Sequence, residues 1–318
     1  MQMVRRPRRD TSSDANGCRI NREAASQNMG RDRRGRRSAV FIACCVTILA
    51  IPVVASCGVG TPTAHMATIA PSPTSKPSTT WSPGPQWTMT WNDDFRQPGS
   101  LRNWKVMTGP WGDEQLQGYS SNNVTLVPGQ GLVLTASQGG QGQQCSYGAC
   151  SYSSGRVQTD GLFQQQYGMF TARIKLPAGR GLWPAFWMEG ADSVDVTWPN
   201  GGEIDVIEVN NQKPNLVEAF AHGPSLKKGF YLTLDSPLSA GYHVYAIEWN
   251  PTGITWLIDG RVFGHVTNPA PSAFHQPFFL ILDLAVGGVW PGPPTAATKF
   301  PAQMDVTWVR VYQPKTAG

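Results

Sequence analysis

Residues 201–208 read Gly-Gly-Glu-Ile-Asp-Val-Ile-Glu, and the fold is decided there. Ile204, Val206, Ile207 and Val209 are β-branched, and Pro199-Asn200-Gly201-Gly202 before them is a turn signal, so the stretch reads as a buried strand. Three carboxylates interrupt it: Glu203, Asp205 and Glu208. A buried charge costs on the order of several kcal/mol unless it is paired or neutralised, so acids in such a strand have a use. Side chains on a strand alternate between faces, which puts Glu203 and Asp205 together and a regular Glu208 on the opposite side. There Glu208 would lie between two sheets with no evident partner. A β-bulge after Asp205 adds one residue and returns Glu208 to the face of the other two, and that bulge is the expectation.

Outward from this stretch, strand follows strand. Residues 131–136 are short and apolar. From Tyr167 to Leu176 the pattern alternates, with Gly168, Phe170, Ala172, Ile174 and Leu176 on one face and Thr171, Arg173 and Lys175 on the other. His243–Trp249, Ile254–Ile258 and Arg261–Val266 read as a meander, its second turn the two-residue hairpin signal Asp259-Gly260. Phe278–Val286 is a long apolar run suited to a strand covered on both faces, and Asp305–Tyr312 is a last strand. No helical periodicity of useful length is present. The expected class is all-β, a jelly-roll sandwich of two antiparallel sheets with a concave cleft floored by the acidic strand.

All twelve Trp lie at or after Trp81. Core packing accounts for at least half of them, since Trp buries a large area. Trp is also the side chain that stacks on the apolar C–H face of a sugar. Trp183 and Trp187, just before the acidic strand, are the candidates for that role.

Two glutamates flanking an aspartate on a concave face suit a retaining glycosidase, whose two carboxyl groups stand about 5–5.5 Å apart, one as nucleophile and one as acid/base. The proton donor needs a raised pKa, which neighbouring like charges supply. Asp205 between them would hydrogen-bond the nucleophile and tune both. A calcium site or a structural carboxylate cluster is the other reading of the same spacing.

The ends of the chain are of a different kind. The 318 residues carry a formal charge of +5, yet residues 1–37 alone hold eleven Arg against four acids, so the remainder is net negative. The basic tail runs straight into the apolar segment Ala39–Ala55, which is the order of a secretory signal rather than of a nucleic-acid-binding arm. Val54-Ala55-Ser56-Cys57 resembles a lipobox, with Cys57 as the lipidated residue; ordinary cleavage and an uncleaved anchor are the alternatives. Residues 1–57 are thus read as targeting segment, the Pro/Ser/Thr-rich 58–86 as a solvated spacer, and 87–314 as one domain. Within the domain only Cys145 and Cys150 remain, and export favours a local disulfide between them over two free thiols. No metal site is read from the cysteines, which lack further ligands at suitable spacing.

The motif has relatives. Glu203-Ile-Asp-Val-Ile-Glu208 after Trp183-Pro-Ala-Phe-Trp-Met188 resembles glycoside hydrolase family 16, the laminarinase and lichenase family. Asp94-Phe95, Tyr167-Gly168, Ala172-Arg-Ile-Lys-Leu-Pro177, His243–Trp249, Asp259-Gly260, Leu284–Gly288 and Val309-Arg-Val-Tyr312 recur in the same order, so the resemblance covers about residues 87–314. It implies a concanavalin-like jelly roll, retaining hydrolysis of internal β-glycosidic bonds, Glu203 as nucleophile, Asp205 as helper and Glu208 as acid/base. It implies cleft positions for His222, Arg156 and Trp290, and a donor-side border at Tyr119 and Asn122. The chain departs from the family at Gln115 in place of Glu, at Asp283 where Asn is more usual, and at Thr307 before Trp308 where Asp is usual. That last Asp commonly binds a structural calcium, which is therefore in doubt, and no cofactor is required. The expectation is an exported, lipid-anchored, monomeric endo-β-1,3- or β-1,3-1,4-glucanase acting on polysaccharide. A glucan-binding lectin, or a transglycosylase remodelling envelope polysaccharide, is the alternative on the same fold.

Overall fold

A computed structural model describes residues 81–96, 100–193, 195–267 and 272–315. The targeting segment with Cys57 and residues 58–80 of the spacer lie outside the described residues. Among the described residues, strands are joined by turns and short 3-10 segments. Two large sheets form. The first, here the cleft sheet, has seven strands in the order Leu226–Thr233, Leu216–Gly223, Glu203–Glu208, Leu182–Gly190, Phe278–Val286, Arg156–Gln158, Lys105–Val106. The second, the back sheet, has eleven, with Gly168–Lys175 paired between His243–Asn250 and Ala302–Pro314.

The apolar alternation decides what lies between the sheets. Phe170, Ala172 and Ile174 of the back sheet meet Ile204, Val206 and Ile207 of the cleft sheet in one buried core. Phe278–Val286 is buried along its whole length, as its unbroken apolar run predicts. Phe278, Leu280, Leu282, Leu284 and Val286 enter the core. That leaves Phe279, Ile281, Asp283 and Ala285 on the other face, by strand alternation. Each fully buried Leu, Ile or Phe contributes about 1.5–3 kcal/mol, and this apolar layer holds the acidic strand in place.

The meander His243–Asn250, Gly253–Ile258, Arg261–Thr267 pairs as the sequence predicts. Its Asp259-Gly260 turn has φ of 50° and 82°, the two positive values that a hairpin turn matching strand twist requires. One pair departs from the antiparallel expectation: Gln117–Tyr119 runs parallel to Tyr152–Ser154. Cys145 and Cys150 are disulfide-bonded, with Cα atoms 5.0 Å apart. Inside that small loop the Tyr147 hydroxyl donates to the Leu116 carbonyl at 2.6 Å and accepts from the Ser151 amide at 2.9 Å. The loop thereby braces the segment leading into Gln117.

Candidate active site

The acidic strand is bulged where the face argument requires it. Asp205 stands opposite Trp187 and Glu208 opposite Ala185 on one neighbour, and opposite Phe220 and Glu218 on the other. Three steps along the acidic strand thus match two on each side. Ile204, Val206 and Ile207 all turn into the core, and Glu203, Asp205 and Glu208 all line one pocket.

Register then sets out the cleft face as rows across the sheet. One runs Arg156, Asp283, Ala185, Glu208, Glu218, Tyr231. The next carries Trp187, Asp205, Phe220 and Gly229, and the third Glu189, Glu203, His222 and Lys227. The pocket over these rows is completed by Trp111, Asp113, Gln115 and Trp183. A larger hollow of about 440 Å³ lies elsewhere, along Asp94–Arg96, Leu126–Gly129 and Thr307, and brings no two carboxylates together.

Indoles hold the acids. Trp198 Nε1 donates to Glu203 Oε2 at 2.9 Å and Trp183 Nε1 to Glu208 Oε1 at 2.6 Å. His222 Nε2 is 3.7 Å from Glu203 Oε1 and 3.4 Å from Asp205 Oδ2. Asp205 is 2% exposed, and its Oδ2 has no hydrogen-bond partner. Burial, then the charge of Asp205, pushes the Glu203 carboxyl up to about 8, against the opposing pull of His222 and the Trp198 indole. Burial raises Asp205 well above the carboxylate range, with Glu189 and Asp283 adding to it. Glu208 is also raised well, by burial and then by Asp205 and Glu203, with the Trp183 indole opposing. His222 is lowered, chiefly by burial, with the charge of Glu203 opposing. Asp205 helps raise both glutamates, so the cluster titrates as a unit. The groups opposing the rise are His222 and the Trp198 indole at Glu203, and the Trp183 indole at Glu208.

Ligand atoms of Glu203, Asp205 and His222 lie within 4.8 Å of one another, a spacing that could hold a metal ion. At the last strand, Asp305 and Thr307 are engaged by protein donors. Asp305 Oδ1 is buried without a partner, but Oδ2 already accepts from Gln130 and Tyr242, at 3.3 and 3.5 Å. The Thr307 hydroxyl accepts the Arg173 guanidinium at 2.9 Å.

The remaining sequence candidates scatter. Arg156 lines the pocket, 1% exposed, its guanidinium over the rings of Trp111 at 3.8 Å and Trp187 at 4.9 Å. Trp290 stands beside the pocket, its ring 5.3 Å from Trp183 and 5.9 Å from Phe220. Tyr119 does not line it. The ring is buried one layer behind, and its hydroxyl donates to Asp283 Oδ2 at 2.7 Å. Asn122 is exposed on the Ser121–Asn123 turn, its amide on Gln141 at 3.3 Å, outside the pocket lining, because that turn faces the Gln141 loop.

Sequence reasoning left Trp198, Trp111, Asp113, Glu189 and Asp283 out of the site. Asp283 carried a legible signal, an acid inside an apolar run, the same anomaly that drew attention to residues 203–208. Trp198 sits in the turn before the acidic strand, where nothing in the pattern distinguished it from a loop residue.

A two-sheet jelly roll whose cleft gathers carboxylates under tryptophans is the architecture of a carbohydrate-active protein. The chain belongs to the glycosyl hydrolases family 16, whose family model matches residues 112–310. It is 34% identical over 239 residues to the clotting factor G alpha subunit of Tachypleus tridentatus, covering 72% of this chain and 34% of that protein. It is 33% identical over 253 residues to a beta-glucanase of Rhodothermus marinus, covering 72% of this chain and 86% of that one. Among solved structures, the laminarinase catalytic domain of Thermotoga maritima superposes with a TM-score of 0.68 at 33% identity, over 73% of this chain and all of that domain.

Proposed function

We propose that the protein is an endo-acting, retaining β-glucan hydrolase for β-1,3 or mixed β-1,3-1,4 linkages. The observation that carries the reading is the bulge, which turns Glu203, Asp205 and Glu208 onto one face of the cleft sheet. The Glu203 carboxylate attacks the anomeric carbon as the glycosidic C–O bond breaks. The Glu208 proton passes to the departing oxygen, and the sugar is left as an ester on Glu203. Glu208, now an anion, takes a proton from water, whose oxygen attacks the same carbon and frees Glu203. Asp205, buried beside His222, acts as helper and tunes both glutamates through its charge. Substitution of Glu203 by Gln abolishes turnover of laminarin and lichenan while leaving glucan binding. Near-wild-type activity in Glu203→Gln would sink the assignment. Digestion of laminarin, lichenan, agarose, carrageenan and xyloglucan with product analysis fixes the linkage, and added acceptor sugar separates hydrolysis from transglycosylation.

The address belongs to the same proposal. The apolar segment running into Cys57 and the Pro/Ser/Thr-rich spacer support an exported enzyme tethered to the outer face of a membrane by lipid on Cys57. Metabolic labelling with a fatty acid, lost in Cys57→Ala, tests the tether.

A further inference from the structure

The bulge turns one backbone group toward the core. The Asp205 carbonyl, at its start, accepts the indole N–H of Trp256 at 2.8 Å. Trp256 belongs to Gly253–Ile258 of the back sheet, so this bond crosses the middle of the sandwich. The ring is fully buried, and Phe230 packs on it with centroids 4.8 Å apart. A donor on the opposite sheet reaches a strand carbonyl only if that carbonyl tilts out of the sheet plane, as bulges allow.

Two registers compete for residues 206–208. The regular one would send Glu208 into the apolar layer, and the bulged one sends it to the cleft. The bond from Trp256 is made in the bulged register, where the Asp205 carbonyl points inward. We infer that Trp256 is a positioning residue: its indole N–H holds the Asp205 carbonyl and so the bulge that aims Glu208 at the cleft. The inference rests on the glycosidase reading for its kinetic consequences, since a misplacement of about 1 Å can cost a hundredfold in rate. Its structural consequence stands without that reading.

The test removes the donor and keeps the ring. In Trp256→Phe, and in a variant carrying 3-benzothienylalanine at position 256 (sulfur in place of the indole N–H), kcat on laminarin falls about tenfold or more while KM stays within about twofold. The alkaline limb of kcat moves to lower pH. Glu208 is faced by Glu203 and Asp205 on its own strand, Asp283 and Arg156 across the sheet, Glu218 beside it and Asp113 over the pocket. Drifting out of that setting, it is less desolvated and farther from the like charges, so its proton is lost sooner. Amide exchange at Val206–Glu208 quickens. A purely structural Trp256 would lower the melting temperature and leave kcat per folded molecule, the pH limb and local exchange unchanged, which overturns the inference. The benzothienyl variant preserves ring volume, so it settles the matter if Trp256→Phe does not fold. Should the wild-type protein hydrolyse no glucan, the glycosidase reading falls, and unchanged exchange at 206–208 is then what would overturn the role of Trp256.

Discussion

Two buried aspartates stand two strands apart on the cleft sheet and are built in opposite ways. Asp283 lies in a regular strand, 5% exposed. Its Oδ1 accepts the Trp187 indole at 2.6 Å, its Oδ2 the Tyr119 hydroxyl at 2.7 Å, and Arg156 faces it in register. Asp205 lies at the start of the bulge, 2% exposed, with His222 3.4 Å away and no hydrogen bond to Oδ2. Burial raises both. For Asp283 the secondary causes, Arg156, Trp187 and Tyr119, all pull it back down. For Asp205 they are Glu189 and Asp283, and both push further up. Depth alone therefore does not decide how such an acid is held. On the proposed mechanism, donors fix Asp283 as an anchor, whereas Asp205, with no donor on Oδ2, shares protons with its neighbours.

The severest challenge is to the strand Asp205 belongs to. Glu208→Gln lowers kcat on laminarin about a thousandfold, and far less on an aryl β-glucoside whose leaving group departs without a proton. Equal losses on both substrates would remove Glu208 from the acid role. The same substitution at the two aspartates comes next. Asp205→Asn costs about ten- to a hundredfold in kcat, and Asp283→Asn less than about fivefold, because Asn can still accept from Trp187. If the two losses change places, the contrast between anchor and proton-sharing acid is broken.

A smaller effect sharpens it. Asp283 is one of the charges raising both Asp205 and Glu208. Asp283→Asn therefore lets Glu208 lose its proton earlier, and the alkaline limb of kcat moves to lower pH. A limb that stays put or rises would show that the two strands do not communicate through charge.

The smallest effect is on stability. Glu203 is held at about 8 when folded against an ordinary 4.5. Between those values the folded state binds more protons than the unfolded one, so stability contributed at low pH is lost as pH rises. Glu203→Gln lacks that slope. Its melting temperature exceeds the wild type's by a few degrees at pH 8, and the gap narrows towards pH 5. A gap independent of pH would mean that Glu203 carries no such strain.

Much of this was legible in the sequence because it is encoded in period-two patterns and in exceptions to them. Phe170, Ala172 and Ile174 announced their face, Asp259-Gly260 its turn, and the three acids their bulge, since only one register avoids burying Glu208 unpaired. What escaped was whatever depends on contacts between distant segments. The placement of Tyr119 behind Asp283 and of Asn122 beside Gln141 follows from the parallel pairing of Gln117–Tyr119 with Tyr152–Ser154 and from the Gln141 loop, neither of which has a local signature. Trp198 and Trp256 illustrate the same limit in opposite directions. Both carry an indole aimed at the acidic strand, one from an exposed turn and one from the core, and side-chain type alone does not say which tryptophan points where.

The rows that cross the cleft sheet act as a ruler. The row from Arg156 to Tyr231 spans six adjacent strands. Neighbouring strands are about 4.8 Å apart, so that row is about 24 Å long. A pyranose unit advances by a similar step. On the proposed activity, a saccharide lying along the row would be counted out at roughly one ring per strand, with the Glu203–Glu208 strand as the mark of cleavage. Product length is then a readout of how many strands lie on either side of that mark.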